Sequence, residues 1–280
     1  MKVLVAGADG QLASAVLQQF GPHAEVVAFG REALDVTDPA KARARAKAER
    51  PDVIVNCASY NLVDDAEDNP VTALNVNALG VRSLAHAAVD VGATLVQYST
   101  DFVFDGHTGR PYIEEDATNP QGTYGISKLL GEWFATDVPR HYILRVESLF
   151  GRAAGGPAHG SGDGICARIR AGEEVRAFVD RTVSPTYIVD AASATRSIVE
   201  RQLPSGIYHC VNSGSCTWWQ FAEEAGRLLD LQPRMRALTV EEAGLRAKRP
   251  KYCALSNARL KGLGVTMPDW RDALRRSLAG

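Results

Sequence analysis

Short apolar runs alternate along the first half of the chain with longer stretches in which apolar residues recur every three or four positions. Val3–Ala6 is the first such run, and a glycine-bearing turn separates it from the periodic stretch Leu12–Phe20. Glu25–Phe29 predicts a second strand. Asp38 and Pro39 then open a helix, with Asp as N-cap and Pro at the first helical position. Pro51 and Asp52 introduce a third strand, Val53–Val55, and Val71–Val91 reads as one long helix. Thr94–Tyr98 predicts a fourth strand, Tyr124–Thr136 a helix and Tyr142–Val146 a fifth strand.

Strands that alternate with helices imply a parallel sheet covered on both faces. Right-handed crossovers make it doubly wound, an α/β fold of Rossmann type. After Val146 the pattern changes. Residues 151–164 are rich in Gly and Ala and fit no regular element; they read either as a substrate lid or as a plain linker. Helices are expected near Ile165–Ala171 and Val189–Arg201, a strand near Ile207–Cys210, and a helix Trp218–Leu229 capped by Thr217. Residues 1–150 are therefore assigned to the Rossmann domain, with its sheet completed by about 186–212. Residues 151–185 and 213–280 are assigned to a smaller C-terminal substrate lobe.

Composition narrows the possibilities. The 280 residues are 45% hydrophobic and 23% charged, as in water-soluble globular proteins. A net charge of −2 gives no bulk attraction to nucleic acid or to an anionic membrane. No apolar run approaches the roughly 20 residues that span a bilayer. The apolar start of the chain ends too soon at a glycine turn for a signal peptide, so residues 2–6 read as a strand and the expected location is the cytoplasm. Five cysteines without a C-x-x-C pair predict reduced thiols, and the scattered histidines predict no metal site. A homodimer is possible.

The turn after the first strand reads Gly7-Ala8-Asp9-Gly10-Gln11-Leu12-Ala13, that is G-x-x-G-x-x-A between a strand and a helix. Glycines there let backbone N–H groups approach a pyrophosphate at a helix N-terminus, where the helix dipole favours negative charge. Gly7, Gly10, Gln11 and Leu12 are thus candidate contacts to a dinucleotide. The second strand ends Phe29-Gly30-Arg31, without the acidic residue that would grip a ribose 2′-hydroxyl. Arg31 suits a 2′-phosphate, so NADPH is favoured over NADH; its other reading is a solvated surface charge. Asp35 and Val36 are placed at the adenine edge. Ala58, Ser59 and Tyr60 follow the third strand and border the cofactor from the other side, with Tyr98 on the fourth strand.

The chemistry is expected at the end of that fourth strand. Tyr124 and Lys128 form a Y-x-x-x-K pair on one helix face. A Lys cation near a phenol stabilises the phenolate and lowers a pKa that is ordinarily about 10. A tyrosine so tuned passes a proton near neutral pH. Lys128 can also hold the nicotinamide ribose, and Thr100 at the strand edge can hydrogen-bond the reacting carbonyl.

At these residues the chain resembles the extended short-chain dehydrogenases and, more narrowly, the dTDP-4-dehydrorhamnose reductase family. The matching segments include GADGQLA, RPDVIVNCASYNLVDDAED, YSTDFVFDG, YGISKLLGE, DRTVSPTYIVD and RPKYCALSNARL. The resemblance implies NAD(P)H-dependent reduction of a nucleotide-linked 4-keto-6-deoxysugar. It makes Tyr124 the proton donor, Lys128 its partner, Thr100 the third catalytic member and Asp101 a substrate contact. Sugar-nucleotide dehydratases of this superfamily typically carry Glu after the Asp, where this chain has Phe102. The family often has Arg-Thr-Ser-Trp where this chain reads Arg145-Val146-Glu147-Ser148. Ser148 stands where Trp would line the sugar pocket, and Glu147 is either a substrate contact or a salt-bridge partner. The basic stretch Arg246, Lys248, Arg249 and Lys251 is either a solvated face or, through Arg249, a fork on the substrate diphosphate. Two other readings stand beside reduction: an epimerase or dehydratase with retained NAD, and a non-catalytic cofactor-binding regulator. The intact Thr100, Tyr124 and Lys128 weigh against the regulator.

Overall fold

The computed structural model describes residues 1–153 and 160–279. In chain order the first half contains β1 (Lys2–Ala6), α1 (Gln11–Phe20), β2 (Glu25–Phe29), α2 (Pro39–Glu49) and β3 (Val53–Asn56). Then come α3 (Asp65–Asp68), α4 (Pro70–Leu74), a π-helical turn (Asn75–Leu79), α5 (Gly80–Val91) and β4 (Thr94–Thr100). A 3-10 turn (Asp101–Val103), α6 (Thr123–Ala135) and β5 (His141–Val146) complete that half. The second half holds β6 (Leu149–Phe150), α7 (Ser161–Arg170), β7 (Glu174–Phe178), β8 (Thr182–Val183), β9 (Thr186–Tyr187) and α8 (Ile188–Glu200). It closes with β10 (Gly206–His209), β11 (Cys216–Thr217), α9 (Trp218–Leu229), β12 (Arg234–Leu238), α10 (Ala258–Gly262) and α11 (Trp270–Ala279).

Six strands form one all-parallel sheet in the order β10-β5-β4-β3-β1-β2. The chain leaves β1 toward β2 and then returns to place β3 on the other side of β1. The crevice at the C-terminal ends of β1 and β3 is therefore a topological switch point, where open α/β sheets bind ligands. The central strands are buried on both faces, with continuous apolar runs in β1 and β3 and with Gln97, Ser99 and Thr100 among the buried residues of β4. Val3 and Val5 face a core shared with α1 and α8, while Leu4 and Ala6 face a second core under α2 and α5.

Local chemistry sets the helix ends. The Asp38 carboxylate accepts from the N–H groups of Ala40 and Lys41, with Pro39 in the first turn. Thr217 and Gln220 cap α9 reciprocally. The expected long helix 71–91 is interrupted: one extra residue is accommodated in the π-helical turn at Asn75–Leu79. Such turns have no period that a reading of apolar spacing detects, and they concentrate at functional sites.

The last sheet strand, β10, pairs with β5, and α8 packs across α1. The remaining elements of the second half surround a separate core in which Phe150, Trp218, Phe221 and Trp270 stack and abut. Of the three two-stranded pairs in this part, β8 with β11 and β6 with β9 are too short for any alternation, and in β7, which pairs with β12, it extends over only a few residues. The suggested lid at 151–164 includes residues 154–159, which lie outside the described residues.

Candidate active site

Gly7 ends β1 in the left-handed region, φ +74°, and its N–H donates to the Phe29 carbonyl. A Cβ there would stand 2.5 Å from the backbone nitrogen of Ala58. The turn after β1 and the loop after β3 thus approach each other more closely than a side chain permits. Gly10 precedes α1 without a side-chain cap, which leaves the first N–H groups of α1 for a ligand. Ala13 is fully buried against the sheet. Gln11 has a further duty: its amide donates to the Gly151 carbonyl and to Asp163 on α7, tying this turn to the second lobe.

A cavity of about 590 Å³ opens above the switch point. Its wall includes Gly7, Gly10, Gln11 and Leu12 from the first turn, Arg31, Asp35 and Val36 after β2, and Ala58, Ser59 and Tyr60 after β3. Tyr98, Thr100 and Asp101 from the end of β4 join them, with Tyr124, Lys128 and Ser148. Arg31 is 84% exposed, with its guanidinium 3.9 Å from Asp35. The Asp35 carboxyl is held below the usual range by hydrogen bonds from the hydroxyl and N–H of Thr37.

The reacting end of the cavity is built where α6 meets β4. Gly125 allows the contact, since a Cβ there would meet the Phe102 carbonyl at 2.3 Å. The Phe102 ring then stands edge-on to Tyr124, centroids 5.4 Å apart. Glu67 of α3 receives both the N–H and the hydroxyl of Thr123, supplying the cap that Gly122 cannot. Thr100 Oγ1 donates to Asp101 Oδ1 at 2.9 Å. Lys128 Nζ donates to the Tyr98 carbonyl at 2.6 Å.

The expected lowering of the Tyr124 pKa by Lys128 is not what this arrangement gives. Burial, followed by the neighbouring Asp101 carboxylate, pushes Tyr124 up to about 12, while the hydroxyls of Thr100 and Ser59 pull it down. Burial pulls Lys128 down to about 8, against the opposing charge of Glu132. Desolvation is the largest cause of both shifts, and neither group draws its shift from the other. A neutral phenol is the form that donates a proton.

Sequence reasoning missed Asn77. It lies in the π-helical turn, 1% exposed. Its amide oxygen accepts from the Ser59 hydroxyl and the Tyr60 N–H, and its nitrogen donates to the Tyr60 carbonyl and to Ser127. One side chain therefore joins the loop after β3 to the helix that carries Tyr124 and Lys128. Only the sequence of the helix break could have flagged it, and that break is silent in apolar spacing.

Arg249 stands apart from the cavity wall. Its guanidinium donates to Asp64 at 2.7 Å and lies 5.6 Å from the centre of the Phe102 ring, which does line the cavity. Arg181, also missed in the sequence, lies over the same ring at 5.4 Å. Most of the basic stretch is solvated, with Arg246 paired to Asp68 and Lys251 to Asp180 on the surface, while Arg249 is mostly buried against Asp64. Glu147 fits neither of its expected roles. It is 2% exposed, is not part of the cavity wall, and among the described residues it makes no ion pair within 4.0 Å. Its Oε2 accepts from the Ser184 N–H at 2.7 Å. Ser148 does reach the wall and adopts a left-handed backbone, φ 48°, uncommon for a residue with a side chain.

A family model, the RmlD substrate binding domain, matches residues 1–280. The chain belongs to this family. It is 40% identical to a dTDP-4-dehydrorhamnose reductase of Streptomyces griseus, over 98% of this chain and 92% of that protein. It is 35% identical to a dTDP-4-keto-6-deoxy-D-glucose reductase of Streptomyces niveus, over 98% of this chain and 95% of that protein. Among solved structures, the dTDP-4-dehydrorhamnose reductase of Bacillus anthracis in complex with NADP superposes with a TM-score of 0.94. That pair is 31% identical and covers 99% of this chain and 98% of the other. The glycine cradle at Gly7, the uncapped N-terminus of α1 and the cavity above them fit the dinucleotide that this family uses. No helix among the described residues is long and apolar enough to cross a membrane.

Proposed function

We propose that this chain reduces the C4 ketone of a nucleotide-linked 4-keto-6-deoxysugar with NADPH, with dTDP-4-dehydrorhamnose as the substrate and dTDP-rhamnose as the product. The observation that carries this reading is the meeting of Thr100, Tyr124 and Lys128 on one cavity at the end of β4, with Phe102 beside them.

The bound cofactor supplies the hydride. The chain's own residues do the rest. Gly7, Gly10 and the start of α1 take the pyrophosphate, and Arg31, the most exposed cation on the wall, takes the 2′-phosphate. Asp35 and Val36 face the adenine, Ala58, Ser59, Tyr60 and Tyr98 flank the dinucleotide, and Lys128 holds the nicotinamide ribose. Tyr124, neutral because it is buried, gives its phenolic proton to the carbonyl oxygen as that oxygen gains charge. General acid catalysis of this kind contributes about 10²–10⁴-fold. The phenolate left behind regains its proton from water. Ser148 and Asp101 border the sugar, and Arg249 takes a phosphate oxygen of the diphosphate, exchanging part of its bond to Asp64. Phe102 packs on Tyr124 and offers no second acid–base group, so the site is suited to reduction and not to dehydration. We place this reaction in the cytoplasm, in keeping with the lack of a membrane-spanning helix among the described residues.

The test is NADPH oxidation with dTDP-4-dehydrorhamnose and with dTDP-4-keto-6-deoxy-D-glucose, in wild type and Tyr124→Phe. Turnover on the first substrate, lost in the variant with NADPH binding kept, is expected. Turnover on the second alone would move the proposal to that sugar, and turnover unaffected by Tyr124→Phe would overturn the assigned acid.

A further inference from the structure

Beside Thr100, groups from several parts of the chain converge. Asp101 comes from the 3-10 turn, Glu147 from the end of β5, Arg181 from just before β8, and Cys253 from the segment after the basic stretch. One donor atom each of Asp101, Glu147 and Cys253 lies within 4.8 Å of the others, and the three residues are 3%, 2% and 1% exposed. Arg181 Nη2 is 4.0 Å from Asp101 Oδ2.

The hydrogen bonds leave a remainder. Asp101 Oδ1 accepts from Thr100, Glu147 Oε2 accepts from the Ser184 N–H, and the Cys253 thiol donates to the Pro250 carbonyl. Asp101 Oδ2 and Glu147 Oε1 are buried and, among the described residues, have no hydrogen-bond partner. Two orphaned carboxylate oxygens in one buried cluster are costly separately, whereas a single proton between them satisfies both. Charge gives the same count. With the thiol neutral and Arg181 cationic, two ionised carboxylates leave a net negative charge in a medium of low dielectric; one shared proton leaves none.

We propose that Glu147 is a positioning residue that carries this proton and donates it to Asp101 Oδ2, so that Asp101 remains an anion whose Oδ1 holds the Thr100 hydroxyl in register with Tyr124. Burial pushes both carboxyls up; Arg181 and the Thr100 hydroxyl pull Asp101 back, whereas burial followed by the Asp101 charge drives Glu147 well above its ordinary range, in keeping with the proton on Glu147. The other titratable or charged groups facing the pair are Arg181, Arg249, Tyr124, Cys216, Tyr252 and Cys253. Arg181 Nε and Arg249 Nη1 are also buried without a partner among the described residues, yet no group here donates a hydrogen bond to Asp101 Oδ2 or Glu147 Oε1. Arg181 provides the positive charge that a metal ion would otherwise bring to the three donors.

The consequence for catalysis rests on the reductase reading; the shared proton does not. The full-length enzyme is examined by infrared spectroscopy at neutral pH, unlabelled and with ¹³C-labelled glutamate carboxyls. A protonated-carboxyl stretch that shifts on labelling and disappears in Glu147→Gln is expected. In turnover, Glu147→Ala lowers kcat by about tenfold or more with NADPH affinity unchanged, because it orphans Asp101. Glu147→Gln, whose amide still donates, restores most of that loss. The proposal is overturned by a wild-type spectrum without the label-sensitive band, by a Gln variant as impaired as Ala, or by one equivalent of a divalent metal that is lost in Glu147→Gln. The labelled wild-type spectrum decides the matter if the variants do not fold. Absence of any wild-type turnover, with the band present, would count against the reductase reading and leave the shared proton standing.

Discussion

Gly131 on α6 lies against the backbone of Asn77 so closely that a Cβ at position 131 would stand 2.2 Å from the Asn77 carbonyl oxygen. The π-helical turn that presents Asn77 and the helix that presents Tyr124 and Lys128 are thus seated on one another backbone to backbone. Asn77 then reaches with its side chain to the loop that borders the cofactor.

Gly131→Ala must push α6 away from the π-helical turn. Overpacking of this kind costs about 1–3 kcal/mol. A lowered urea midpoint is expected, together with a loss of turnover larger than the loss of NADPH affinity, since α6 carries the proton donor. A midpoint equal to that of wild type would show that the two segments separate freely.

Asn77→Ala leaves the Tyr60 N–H and carbonyl without their partner. Each unsatisfied group costs about 1–3 kcal/mol when buried. Because Ser59 and Tyr60 face the cavity, weaker NADPH binding is expected, read by quenching of intrinsic fluorescence. Asn77→Asp keeps the acceptor and should lose less; equal losses would place the effect in packing alone.

Arg249 couples the second lobe to Asp64 and stands at the Phe102 end of the cavity. A charge-assisted hydrogen bond is worth about 1.5–3 kcal/mol, so Arg249→Ala is expected to raise KM for the nucleotide sugar by roughly tenfold or more. NADPH affinity should stay the same. An unchanged KM would reduce Arg249 to a clasp between lobes.

Lys128 gives a pH dependence with a definite sign. Its folded pKa, drawn down to about 8 by burial, lies below the ordinary lysine value. The ammonium is present below that pH and is lost above it. An anionic cofactor favours the charged form, so NADPH affinity is constant at lower pH and falls as pH rises past about 8. Lys128→Met should bind more weakly and without this fall, measured by fluorescence titration across the range.

His209 sets an acid limit on the fold. Burial, and then the Arg145 guanidinium, push its pKa down to about 3, and its ring lies between Arg145 and the Tyr112 carbonyl. The unfolded chain binds the proton first, at the ordinary histidine value of about 6.5. Stability from this group is therefore complete above that value and is lost as pH falls toward about 3, by up to about 1.4 kcal/mol per pH unit. Urea midpoints between pH 7 and pH 4.5 should fall less steeply in His209→Gln; parallel slopes would assign the acid sensitivity elsewhere.

The sheet was legible because a strand covered on both faces carries a continuous apolar run, as Val3–Ala6 of β1 and Val53–Val55 of β3 do. The glycine turn and the Tyr124–Lys128 pair were legible too, because backbone clearance and i, i+4 spacing are local requirements. The turn at Asn75–Leu79 was not, since a single extra residue inside a helix leaves apolar spacing nearly intact. Nor were β7, β8, β11 and β12, whose partners lie up to about 70 residues away in the chain.

The sequence by itself determined the doubly wound sheet, its cofactor turn and the residue types of the reacting centre, since each depends on neighbours a few positions apart. The tertiary structure alone decided their ionisation and company. It buried Tyr124 and Lys128 deeply enough that desolvation shifts both, brought Arg181 and Arg249 to the Phe102 ring, and gathered Glu147 with Asp101. Dielectric and long-range proximity are properties of the packed molecule, and no span of sequence contains them.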